Sequence, residues 1–117
     1  MSATPMTVLI LDDDLGFCMW LGRVLNEAGI RALPACRSDQ VLQSWGDPSY
    51  PIDLVIVNPQ IDGCREVLAQ NRGAKIIAIG GAGTLAVDGV LRRPHGRALP
   101  PPDRYIKVVR DVLRRDD

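Results

Sequence analysis

The chain has 117 residues, with 14 basic and 14 acidic side chains and no net charge. That length suits one domain spanning 1–117 and excludes two, and it can bury roughly two-thirds of its unfolded surface without staples. Three cysteines (Cys18, Cys36, Cys64) are an odd number with no CxxC spacing, which fits reduced thiols in a cytoplasmic protein better than a disulfide framework. No apolar run approaches the length of a membrane span, and the stretch from Met1 to Met6 is too short and polar for a signal peptide, so no membrane partner is expected.

Thr7 to Leu11 is a continuously apolar, β-branched run that reads as a buried strand, ending in Asp12, Asp13 and Asp14. Phe17, Leu21, Val24, Leu25 and Ala28 then fall at i, i+4, i+7, i+8 and i+11, one apolar face of a helix. Asp14 is placed to cap it and Gly29 to stop it. Residues 30–35 read as a second strand, and Pro34, which cannot donate to a ladder, assigns it to an edge. Ser38 is expected to cap a second helix carrying Val41, Leu42 and Trp45. The turn-rich stretch from Gly46 to Pro51 leads to a third strand over 53–57, closed by Asn58 and Pro59.

A short helix is expected from Gly63 to Arg72, with Val67 and Leu68 inward and Gly73 ending it. Lys75 to Ile79 is a fourth buried strand, followed by Gly80, Gly81, Ala82 and Gly83. Only residues 84–88 separate these glycines from a fifth strand over Gly89 to Leu91, too few for a helix of the usual about 10–14 residues. Past Arg92, Arg93 and Pro94, a proline-rich loop reaches a last helix whose inward stripe is Ile106, Val109, Val112 and Leu113. Such strand–helix alternation implies a doubly wound parallel α/β sheet, with ligands and chemistry at the carboxyl ends of the strands. Those ends carry Asp12, Asp13 and Asn58.

From Val8 to Leu113 the chain resembles the receiver domain of bacterial two-component response regulators, most specifically at Leu11 to Asp14, Asp53 to Asn58 and Val90 to Pro94. The resemblance implies a flavodoxin-like sheet in the order 2-1-3-4-5, with helices on both faces and the fourth helix lost or very short. In that family an aspartate at the end of the third strand takes a phosphoryl group from a histidine, with Mg²⁺ neutralising the transferred oxygens. Here the acidic pair survives as Asp12 and Asp13, but the acceptor position holds Asn58, an amide with no nucleophilic carboxylate. The hydroxyl position is Gly80, the lysine position is Arg93 and the switch aromatic aligns with Val90.

These changes together imply an atypical receiver: a protein-interaction or adaptor module of a two-component pathway, without aspartate phosphorylation or enzymatic activity. The last helix and the loop 80–88 are its expected docking surfaces, with a homodimer through the last helix and its Asp111 as one arrangement. No cofactor is expected beyond weak Mg²⁺ held by Asp12 and Asp13 with Asn58, which Asn58→Asp should strengthen. The competing expectation is that Arg93 crosses the strand ends and neutralises Asp12 and Asp13. Alternatives for the whole chain are a small-ligand sensor using the gap at Gly80 to Thr84, and a receiver phosphorylated on a surrogate such as Asp13 or Asp62.

Gly81 to Ala86 matches GxGxxA, but it follows the fourth strand with almost no helix behind it, so a flexible glycine loop is the better reading than a nucleotide cradle. His95 has no partner for catalysis, and Cys18, Cys64, Trp20 and Trp45 read as packing residues. Residues 1–71 hold nine acids and four bases, and residues 72–117 five acids and ten bases. Lys107, Arg110 and Arg114 share one face of the last helix. This basic face reads first as a solvated helix face; as a docking face it is open to an acidic partner, a twin subunit or, weakly, nucleic acid, and with five aromatics and no helix-turn-helix or zinc-finger signal no specific nucleic-acid reading is expected.

Overall fold

The computed structural model describes residues 6–45, 51–70, 73–81, 83, 85–93 and 101–115. The elements are β1 (Thr7–Leu11), α1 (Leu15–Glu27), β2 (Arg31–Ala35), α2 (Ser38–Trp45), β3 (Leu54–Val57), α3 (Cys64–Ala69), β4 (Lys75–Ile79), β5 (Gly89–Leu91) and α4 (Pro102–Arg114). The five strands form one sheet in the order β2-β1-β3-β4-β5, and every pairing is parallel. Pro34 sits in edge strand β2, opposite Ile10 of β1, where its missing N–H leaves no central ladder bond unmade.

Side chains alternate between the two faces of a strand, and both faces of the central strands are covered. Val8, Ile10, Leu54, Ile56, Ile77 and Ile79 pack on Phe17, Leu21 and Leu25 of α1 and on Tyr105, Val109 and Val112 of α4. On the other face Leu9, Leu11, Val55 and Val57 pack on Val41 of α2 and on Cys64 and Val67 of α3. This double cover is why β1 and β3 read as unbroken apolar runs.

Asp14 caps α1 as expected: its Oδ1 accepts from Phe17 N at 3.1 Å. Gly29 lies just past the helix with φ +86°, the left-handed turn glycine allows. Ser38 is a correction. It is the first residue of α2, not its cap, and its Oγ donates to Asp62 O at 2.8 Å, tying α2 to the turn before α3. That tether brings Ser38 so close to Gly63 that any Cβ at Gly63 would collide with it. The expected start of the third helix at Gly63 is also off by one. Gly63, with φ +85°, is the cap of α3, and the helix ends at Ala69.

The inward stripe of α4 is Tyr105, Val109 and Val112, with Ile106 and Leu113 half-buried at its margin. Between β4 and β5 no helix occurs among the described residues, and the crossover is made by residues 80–88 alone. Parallel strands usually need a dozen or more residues to cross over. Nine residues, extended at about 3.3 Å each, can run back the length of a five-residue strand, so the return needs no helix. Of the expectations above, Arg72, Ala82, Thr84, Pro94, His95, the turn over 46–50, the loop over 94–100 and the side chains of Leu42 and Trp45 lie outside the described residues.

Candidate functional site

The register aligns the ends of the central strands. Leu11 lies beside Val57, and Val57 beside Ala78. The ladder runs one residue further, with Asp12 N donating to Ala35 O at 3.1 Å and Asn58 N to Leu11 O at 2.9 Å. Asp12 and Asn58 are therefore level at the carboxyl edge of the sheet. Gly80 follows β4 there, its N–H donating to Leu91 O at 2.8 Å, and Arg93 follows β5.

The Asp12 side chain is 0% exposed. Its Oδ1 accepts from Asn58 Nδ2 at 3.2 Å, from Asp14 N at 3.3 Å and from Arg93 Nη2. The same guanidinium lies 3.8 Å from Asp13 Oδ1 and 3.6 Å from Asp14 Oδ2. Asp12 Oδ2 is buried and has no partner among the described residues. Burial pushes the Asp12 carboxyl above its usual range, against the lowering effects of the Asn58 amide, the Asp14 N–H and Arg93. The Cys18 thiol, beneath the same edge, is pushed up to about 11, chiefly by burial.

Asn58 is held on both sides. Its Oδ1 accepts from Gln60 N at 3.0 Å, which leaves Nδ2 facing the Asp12 carboxylate. The opposite orientation would set oxygen against oxygen. An amide so tied offers no nucleophile. A half-open cleft of about 680 Å³ adjoins the cluster, lined by Asp13, Asn58, Gln60, Gly80, Gly81 and Arg93 among others.

The donor set does not fit Mg²⁺. A hard divalent cation needs several free oxygen ligands. Here Asp12 Oδ1 is taken by three donors, Asn58 presents N–H rather than oxygen, and a guanidinium already lies among the three carboxylates. Among the described residues no group of three His, Cys, Asp or Glu is placed to hold a metal.

The structure thus brings Asp12, Asp13, Asn58, Gly80 and Arg93 to one edge. Val90 stands apart on β5, 43% exposed, and Asp62 is exposed in the turn before α3. On α4, Lys107, Arg110 and Arg114 are exposed together, and Arg110 Nη2 donates to Ala28 O at 2.9 Å. Sequence reasoning missed Tyr105, whose hydroxyl donates to Arg92 O at 2.8 Å, next to the site arginine. Its i, i+4, i+7 register with Val109 and Val112 was the available signal.

No protein-family model matches the chain, and no curated protein matches it. Solved structures do. A response regulator receiver protein from Burkholderia phymatum is 26% identical, with 94% of this chain and 95% of that one covered and a TM-score of 0.72. This chain has the receiver fold. A CheY-like receiver domain protein from Methanospirillum hungatei JF-1 gives a TM-score of 0.74 at 16% identity, covering 94% of both chains. The chemotaxis response regulator CheY4 of Vibrio cholerae gives 0.71 at 16%, covering 93% of this chain and 99% of that one. The receiver fold points to signal transduction in two-component systems. No helix among the described residues is long and apolar enough to cross a membrane.

Proposed function

We propose that the chain is an atypical receiver domain, acting in two-component signal transduction as a protein-interaction module without aspartate phosphorylation, enzymatic activity or a required cofactor. The observation that carries this reading is Asn58. It stands level with Asp12 at the acceptor's strand end, its amide bonded to Asp12 on one side and to Gln60 N on the other. Gly80, which has no hydroxyl, and the exposed Val90 support it, because the family's route from phosphoryl group to output face runs through those two positions.

With covalent switching gone, the surface is what remains to do the work. The exposed bases of α4 and the crossover at residues 80–88 are the surfaces we assign to a cytoplasmic pathway partner, with a second copy of the chain as the alternative occupant. The test is intact mass after incubation with Mg²⁺ and acetyl phosphate. The expected result is the unmodified mass. A stoichiometric, base-labile phosphoryl adduct, mapped to Asp13, Asp62 or any other aspartate, would overturn the reading.

A further inference from the structure

The acidic edge already contains a positive charge, and Asn58 turns its N–H rather than its oxygen toward Asp12. We infer that Arg93 is the resident cation of this site: a built-in guanidinium that fills the place a metal would take and locks the strand ends in one arrangement. Three observations carry this. First, one guanidinium reaches all three consecutive carboxylates, donating to Asp12 and lying 3.8 and 3.6 Å from Asp13 and Asp14. Its flat fork can face several oxygens at once, which a lysine ammonium cannot do from a single orientation.

Second, the buried partner depends on it. The Asp12 side chain is 0% exposed and Arg93 only 35%, so Asp12 has no ready exchange of this cation for water. A carboxylate buried without a counter-charge is strongly destabilising. Third, the backbone is built to hold the arginine. Tyr105, itself buried in the seam with Phe17 and Trp20, fixes the carbonyl of Arg92 by its hydroxyl. Asn58 completes the arrangement by adding an N–H, not an oxygen, to Asp12 Oδ1.

Asn58→Asp restores the family's carboxylate but puts a fourth acid on the edge, where the Asn58 amide nitrogen lies 3.2 Å from Asp12 Oδ1. With Arg93 still in place, the cation position beside Asp12, Asp13 and Asp14 stays filled. Metal affinity is gained only when the guanidinium goes. The inference rests on the receiver reading only for the assignment of the edge as the family's cation position.

The experiment compares the wild-type chain with Asn58→Asp, Arg93→Gln and the double variant. Melting without metal and Mg²⁺ titration calorimetry are the readouts. Arg93→Gln should lower the melting temperature by roughly 5–10 °C. Asn58→Asp alone should gain little Mg²⁺ affinity, and the double variant should bind at least about tenfold more tightly than Asn58→Asp. An unchanged melting temperature in Arg93→Gln, or full Mg²⁺ binding by Asn58→Asp alone, would refute the inference. If Arg93→Gln fails to fold, Arg93→Lys replaces it; that variant keeps the charge without the fork, and its melting temperature should fall by less. Phosphoryl transfer to the wild-type chain would sink the proposed function and leave this inference standing, whereas Mg²⁺ binding by Asn58→Asp alone would do the reverse.

Discussion

One oxygen decides the chemistry of this edge. Asp12 Oδ1 collects an amide, a backbone N–H and a guanidinium, while Oδ2, fully buried, collects nothing among the described residues. A carboxylate solvated on one oxygen only is costly to bury, which is why its pKa is held up despite the neighbouring arginine. The same burial acts on the thiols. Cys18 lies under the edge, its Sγ 3.6 Å from Ala35 O, and burial lifts it to about 11; burial also raises Cys64. Cys36 is half-exposed.

Thiolate, not thiol, is the reacting species, so one alkylation event is expected in the native chain. At pH 8, iodoacetamide should label Cys36 within minutes, while Cys18 and Cys64 wait for unfolding. Rapid native labelling of Cys18 would mean that the edge is open. Cys18 keeps its proton more tightly folded than unfolded, so its contribution to stability is fully present below its unfolded value of 9.0. It is lost as pH rises from there through about 11.

At the level of elements, α4 is fastened to the sheet at both ends. Near its start Tyr105 holds Arg92 O; at its end Lys75 Nζ donates to Val112 O at 2.9 Å and to Arg115 O, and Arg115 Nη1 donates to Asp88 O at 2.7 Å. Cations at a helix C-terminus meet the exposed carbonyls and the negative end of its dipole. Tyr105 carries two separable contributions. Its ring packs 6.0 Å from Phe17 and 5.4 Å from Trp20, centroid to centroid. Its hydroxyl only tethers. Tyr105→Phe should therefore cost about 0.5–1.5 kcal/mol in urea unfolding, and Tyr105→Ala about 3–5 kcal/mol. Equal costs would show that the tether, not the ring, anchors the helix.

The tethers mark the limit of what the sequence disclosed. The apolar runs of β1, β3 and β4, the Asp14 cap and the edge position of Pro34 were legible because each depends on neighbours within a few residues. So was the convergence of Asp12, Asn58 and Arg93, because level strand ends follow from the topology. The bond of Ser38 to Asp62 O, and that of Thr7 N to Asp53 Oδ2 at 2.7 Å, were not. Nor was Ile76 N to Asp88 Oδ2 at 2.8 Å. Each joins residues far apart in the chain through a polar group whose type suits a surface turn equally well. Tyr105 differed: its register with Val109 and Val112 marks it as inward, but the acceptor of its hydroxyl, Arg92 O, is distant in the chain and carries no local signal.

For the molecule as a whole, the two layers are unequal. One face of the sheet carries α1 and α4, of 13 residues each; the other carries α2 and α3, of eight and six. Over β5 the second face is thin, with Val90 43% exposed. Both outer strands are also poor ladders, β5 because it has three residues and β2 because Pro34 lacks an N–H. Local opening follows exposed backbone bonds and sparse apolar cover. Amide hydrogen exchange should therefore be slowest in β1 and β3, whose Val8, Ile10, Leu11, Val55, Ile56 and Val57 are all 0% exposed. Those amides should open only with global unfolding. The amides of α3 and of β5 should exchange through local opening, at rates that respond weakly to low urea. Protection in α3 or β5 equal to that in β3 would mean that the short layer is as cooperative as the long one. The surface we assign to a partner would then be a rigid plate rather than the part of the molecule most easily reshaped by binding.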